Sequence, residues 1–241
     1  MILCKYEKKD AAVYTPHLSL MRGFTMAIRR AALTVRCSEG FNPHGRIFFA
    51  PPLPVGTASE CEYFAADSPD SPEVFMEKLN GSLQPGIKIL KAARHSDNPN
   101  FAAVSQTAEY EIILEKSVKL PDFSEILTQN RYEISYEQKG ETVTKDVRGL
   151  IFNLTSKGGE FAVPTPPLTP HSSLLTPHPS PLTPHSIYLT LACGNPNLRA
   201  DRLVSHLLKS VNAQDIYFTV TKKRLFAKNF ADIDSLFFMN I

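Results

Sequence analysis

Residues 17–54 read HLSLMRGFTMAIRRAALTVRCSEGFNPHGRIFFAPPLP, and the fold is reached by working outward from them. Leu20, Phe24, Ala27, Ile28 and Ala31 recur at helical spacing, so the segment opens as an amphipathic helix with one core-facing stripe. Pro16 fits at its start, where a fixed φ suits the first turn and a missing N–H costs nothing. The helix is expected to end near Ala32, and Leu33 to Cys37 reads as a short strand through Thr34 and Val35. Gly40, Asn42, Pro43 and Gly45 then make residues 38–46 a loop. Ile47 to Ala50 is a short apolar segment stopped by Pro51 and Pro52.

Extending in both directions gives the fold class. Ile2 to Tyr6 reads as a strand before the helix, followed by a short extended Ala12–Tyr14. Ser59 to Ala66, Asp70 to Leu79 and Ile87 to Ala92 supply strand, helix and strand after it. The order strand, helix, strand, strand, helix, strand is the split βαβ, or ferredoxin-like, arrangement. A polar connector at 94–100 leads to a second, modified α+β set. Its strands are 108–115, 132–136, 142–148 and 186–192, with helices near 120–127 and 198–208 and a last strand at 216–226. We therefore expect an α+β protein with a ferredoxin-like basic domain at 1–95 and a second α+β domain at 96–241. The second domain is interrupted at about 164–186, where Leu-Thr-Pro-His begins at Leu168, Leu175 and Leu182. Prolines at that density exclude a regular helix and leave few donors for a sheet, so an extended, disordered insertion is expected. Its His171, His178 and His185 sit on a chain with no fixed second shell, and no metal site is expected of them.

Composition narrows the function classes. The 241 residues are 43% hydrophobic and 21% charged, with a formal net charge of +2. No window approaches the roughly 18 apolar residues of a membrane span. The first residues lack the apolar run of a secretory signal. Cys4, Cys37, Cys61 and Cys193 form no CxxC pair, which argues against a structural zinc or iron–sulfur site and for reduced thiols in the cytoplasm.

Local charge is less even than the total. Residues 1–60 carry eight Lys or Arg against four Asp or Glu, and no acidic residue lies between Ala11 and Ser38. Arg22, Arg29, Arg30 and Arg46 offer planar forks to phosphate oxygens, and Phe41 in the loop can stack on a base. Asn42 and His44 add loop polar groups. His17 is either a specific polar group at the helix start or a cap; His44 is either a ligand-orienting imidazole or a brace for its loop. Glu39 could serve as a base only where burial or another carboxylate raised its pKa. No G-x-S-x-G elbow, phosphate loop or dinucleotide fingerprint occurs.

The stretches Pro16-His17-Leu18-Ser19-Leu20-Met21-Arg22, Ala27-Ile28-Arg29-Arg30-Ala31, Ser38-Glu39-Gly40-Phe41-Asn42-Pro43-His44 and Phe49-Ala50-Pro51-Pro52-Leu53-Pro54-Val55-Gly56 resemble the bacterial radical-SAM-linked family, a DUF2344-type domain of undetermined activity. Ser59-Glu60 with Glu62-Tyr63, Asn197-Leu198-Arg199 and Lys223-Arg224-Leu225-Phe226 also look like its patterns. The family's usual Ser-His-Leu-Asp is Pro16-His17-Leu18-Ser19 here, so a mechanism needing that carboxylate is in doubt while a role for His17 survives. The resemblance implies an accessory domain linked to radical-SAM chemistry or RNA pathways. This chain has no CxxxCxxC of its own, so a partner in trans would supply the cluster.

Three readings stand at this point. The first is a non-catalytic RNA- or nucleotide-recognition module using Arg22, Arg29, Arg30, Arg46 and the loop from Phe41 to His44. It needs no cofactor, no membrane and no DNA specificity. The second is an enzyme on an RNA base or small phosphorylated substrate, with His17, Glu39 and His44 as acid–base and orienting groups. The third is a docking scaffold for a radical-SAM protein.

Overall fold

The computed structural model describes residues 1–138, 140–157 and 185–237. The expected insertion and its first two Leu-Thr-Pro-His histidines lie outside the described residues. The fold is mixed α+β, built on an eight-stranded sheet with several helices. Its strands are β1 (Ile2–Lys8), β2 (Ile47–Phe49), β3 (Thr57–Ala66), β4 (Ile87–Arg94), β5 (Thr107–Leu114), β8 (Ile151–Lys157), β9 (His185–Ala192) and β10 (Phe218–Phe226). The order is β4-β1-β3-β10-β5-β9-β8, with β2 also on β3. A separate hairpin joins β6 (Glu133–Gln138) to β7 (Glu141–Asp146).

β3 is the junction of the molecule. One edge pairs antiparallel with β1. The other is divided: Thr57–Ser59 run parallel to β10, while Phe64–Ala66 pair antiparallel with β2. The sheet thus passes without a break from strands of the first expected domain to those of the second. The C-terminal turn is tied to the same junction, because Asp234 accepts from Lys5 Nζ at 2.6 Å and from Tyr63 Oη at 2.8 Å.

Strand alternation sorts side chains into two cores on either side of this sheet. Ile2, Cys4 and Tyr6 of β1, with Phe64 and Ala66 of β3, meet helices α1 (His17–Arg30) and α2 (Pro72–Asn80). The intervening Leu3, Cys61, Tyr63 and Ala65 join the other core, which includes Leu203, Val204, Leu207 and Leu208 of α5 (Ala200–Ser210). α1 is buried along Leu20, Phe24, Ala27 and Ile28, the expected stripe. Phe24 meets Tyr6, Phe64 and Phe49 at ring-centroid distances of 5.0, 5.1 and 5.4 Å. These aromatic contacts fix α1 and β2 against β3. α2 starts as its sequence indicates, with Ser71 Oγ accepting from the Val74 N–H and Pro72 in the first turn.

Local differences from the sequence reading have physical causes. Residues 12–14 form a 3₁₀ turn within Asp10–Tyr14 rather than an extended segment. Residues 33–37 do not form a strand. Their backbone groups find single partners instead: Asp70 Oδ2 accepts from Thr34 N–H, the Asp67 carbonyl accepts from Arg36 N–H, and only Cys37 bridges to Gly45. The polar connector runs into a short helix, α3 (Phe101–Val104), whose Phe101 is buried against Tyr63. A second short helix, α4 (Phe123–Thr128), falls where one was expected.

Candidate functional site

α1 begins without a side-chain cap and without an acidic residue in its first turn. Its first N–H groups are therefore electropositive and uncompensated by local chemistry. His17 occupies the first helical position, half-buried, with its ring edge-to-face against Phe49 at 6.0 Å. Burial lowers its pKa; the Glu62 carboxylate opposes this and the Lys8 ammonium adds to it. The imidazole is thereby biased toward the neutral form.

Those two charges belong to a buried polar cluster that the sequence reading did not assemble. Glu62, Ser59, Lys8 and Lys222 are each at most 3% exposed. Lys222 Nζ is paired with Glu62 Oε1, which also accepts from Ser59 Oγ at 2.7 Å. Ser59 and Glu62 are three positions apart and would project to opposite faces of an unbroken strand. The register against β1 slips between Tyr6 and Lys8, and this bulge lets them meet. β10 carries its own irregularity between Lys222 and Arg224. Burial works against the Lys222 ammonium and is the largest influence on it, yet the Glu62 carboxylate, with Cys61 and Cys193 adding to it, holds the pKa above the ordinary lysine value. Lys8 points its ammonium at the carbonyls of Thr15 at 3.0 Å and Val13 at 3.3 Å, tying the turn before α1 to the end of β1. Desolvating two lysines and a carboxylate costs several kcal/mol, offset only by this close pairing and hydrogen bonding. The available signal was weak: Lys8 shares the alternation of buried Cys4 and Tyr6, and nothing local marks Lys222.

The four arginines divide. Arg22 and Arg29 are exposed, about two turns apart on α1, and make no hydrogen bond or ion pair among the described residues. Arg30 donates from Nη2 to the Ser82 carbonyl at 2.7 Å, bracing the turn after α2. Arg46 is paired with Asp67 at 2.8 Å, and Arg36 approaches the same carboxylate at 3.5 Å. Asp67 lies 21 residues from Arg46 in sequence, so only the fold could reveal this neutralisation.

The loop between α1 and β2 is internally tied. The Ser38 N–H donates to the His44 carbonyl at 2.8 Å, and the His44 N–H donates to Ser38 Oγ at 3.2 Å. Ser38 Oγ and His44 Nδ1 lie 2.9 Å apart. His44 thus braces the loop. Phe41 projects fully into solvent, and Asn42 is exposed beside it. Glu39, His44, Arg46 and Phe48 line a recess of about 390 Å³. His17 makes no hydrogen bond to Glu39 or His44 among the described residues. The structure brings Glu39, His44 and Arg46 to one recess, and associates His17 with the buried cluster instead.

Cysteine chemistry is less prominent. Cys4 and Cys61 are buried, and burial pushes the Cys61 thiol up to about 12. Among the described residues, no group of three or more His, Cys, Asp or Glu side chains is placed to hold a metal, and no helix is long and apolar enough to cross a membrane.

Comparison with known proteins gives a family but no activity. No curated protein matches the chain. A crystal structure of an unknown protein from Galdieria sulphuraria aligns over 92% of this chain and 96% of that one, at 13% identity and a TM-score of 0.23, too slight a likeness to carry an argument. Residues 1–177 match the family described as an uncharacterized protein conserved in bacteria, DUF2344. That match takes in α1, its loop, the β3 bulge and the strands through β8, and on it the chain belongs to the DUF2344 family.

Proposed function

We propose that this chain is a non-catalytic module that recognises RNA or a nucleotide through phosphate, acting with a radical-SAM partner. The observation that carries this reading is the pair Arg22 and Arg29: exposed, unpaired and on an acid-free helix, followed by a loop that displays Phe41. Uncompensated guanidinium groups attract phosphate and an exposed ring offers a stacking surface. Arg30 and Arg46 are secondary in this scheme, because each is already engaged. We read the strand order β4-β1-β3-β2 with its two helices as a ferredoxin-like unit carrying this face, and the remaining strands as a second unit fused edge to edge. Such a fold hosts many activities, so the argument rests on the side chains.

The test is affinity for a single-stranded oligoribonucleotide as a function of salt. Two phosphate contacts contribute about 1.4 to the slope of log K against log salt for a single strand. Arg22→Ala with Arg29→Ala should therefore weaken binding and flatten the slope by about that amount. Equal affinity and slope in wild type and double variant would remove the reading.

One observation favours a second reading, an enzyme acting on an RNA base or small phosphorylated substrate. His17 is held toward neutrality beside a buried cluster of opposite charges. A neutral imidazole at a helix start is suited to proton transfer. In this reading His17 handles the proton, with Glu39 as base and His44 as orienting group acting from the recess they share with Arg46.

A further inference from the structure

A second cavity, with no α1 residue in its lining, has the features of a ligand site. It holds about 400 Å³ between α3, the first residues of β5, the end of β9 and the turn entering β8. That volume lies within the range of small-molecule pockets. Its floor is backbone against backbone. Gly194 has φ of +128°, and a Cβ there would sit 2.6 Å from the Ser105 carbonyl oxygen, so the 193–196 loop can lie this close only with glycine. The Cys193 N–H donates to the Gln106 carbonyl at 2.7 Å and fixes the same approach.

The walls define the ligand. Among the described residues, no charged side chain lines the cavity. One side is apolar and ends at Phe152, which is half-exposed and held at right angles to Phe230 with centroids 5.5 Å apart. The lining also includes Gln106 and Asn195, whose side-chain amides are exposed and without a hydrogen-bond partner among the described residues. Thr107 Oγ1, buried in the same lining, likewise has no partner among the described residues. An amide presents one donor and one acceptor side by side, which matches the adjacent donor and acceptor on a nucleobase edge. An exposed ring with pinned orientation matches its π-face.

We propose that this cavity binds a nucleobase, with Phe152 as the stacking surface and Gln106 and Asn195 reading its polar edge. The absence of charged lining assigns it the base and not the phosphate. This inference stands apart from the arginine face and does not depend on it.

Saturation-transfer NMR with adenosine, guanosine, cytidine and uridine, each added alone to the full chain at low and high salt, tests the site. At least one nucleoside should bind with an affinity indifferent to salt. Phe152→Ala should weaken it about tenfold, the scale of one lost stacking contact. Filling the rim through Ala103→Leu should also weaken it, while Arg22→Ala with Arg29→Ala should leave it unchanged. Phe152 and Ala103 are solvent-exposed, so neither variant threatens the core. Absence of transfer from all four nucleosides at millimolar concentration overturns the proposal. So does binding untouched by both cavity variants, or binding abolished by the arginine variant. The last outcome would place the ligand on α1, on the face of the proposed function; the other two leave the salt-dependent RNA measurement untouched.

Discussion

Lys222 with Glu62, and Arg22 with Arg29, are charged groups under opposite conditions. The first pair is almost wholly removed from water and closed on itself between two strand irregularities. The second is exposed and, among the described residues, closed on nothing. Charge placed inside, where the dielectric is low, is coupled to folding; charge placed outside is available to a ligand and contributes little to stability. The difference separates what holds this protein together from what it can offer a partner.

The largest effect should come from opening the interior pair. Glu62→Ala leaves the Lys222 ammonium buried and unpaired, and should cost about 3–5 kcal/mol by urea denaturation. Replacing both, as Glu62→Leu with Lys222→Met, should recover most of that loss. If the single variant were as stable as wild type, the contrast between inside and outside would collapse.

Asp67 tests the boundary. Its carboxylate is largely buried while its partners Arg36 and Arg46 reach solvent. Asp67→Asn should cost about 1 kcal/mol. In the proposed function it should also raise RNA affinity at low salt, because Arg46 is freed. Arg22→Ala with Arg29→Ala should change stability by less than about 0.5 kcal/mol, whatever it does to binding.

The smallest effect is a pH dependence. Burial holds the His17 pKa below its ordinary 6.5, so the unfolded chain takes up the proton first as pH falls. The His17 contribution is full above 6.5, is lost as pH drops from 6.5 toward the folded value, and falls no further below that. His206 is shifted in the same direction, first by burial and then by Lys209. His17→Gln should therefore flatten, without abolishing, the fall in denaturation midpoint between pH 7 and 5. An unchanged profile would mean that His17 is as solvated in the folded chain as in the unfolded one.

The amphipathic stripe of α1, the Ser71–Pro72 start of α2 and the alternation in β1 and β5 could be read from sequence because each is a local periodic signal. The candidate site was legible in part. Arg22 and Arg29 stand free on a helix surface, as their spacing suggested, while Arg46 does not, because Asp67 arrives from the far end of β3. The apparent strand at 33–37 follows propensity, but propensity supplies no partner, and the segment is held by side chains and single backbone bonds.

By itself the sequence determined which segments could be helix or strand, where the acid-free basic stretch lies and which family's motifs the chain carries. Tertiary structure alone decided that β3 serves two neighbours along one edge, that Lys8, Ser59, Glu62 and Lys222 converge, and which arginines stay free. The reason is range. Helix caps and periodicity act over a few residues, whereas bulge registers and buried ion pairs join positions up to about 160 residues apart, and no local rule encodes them.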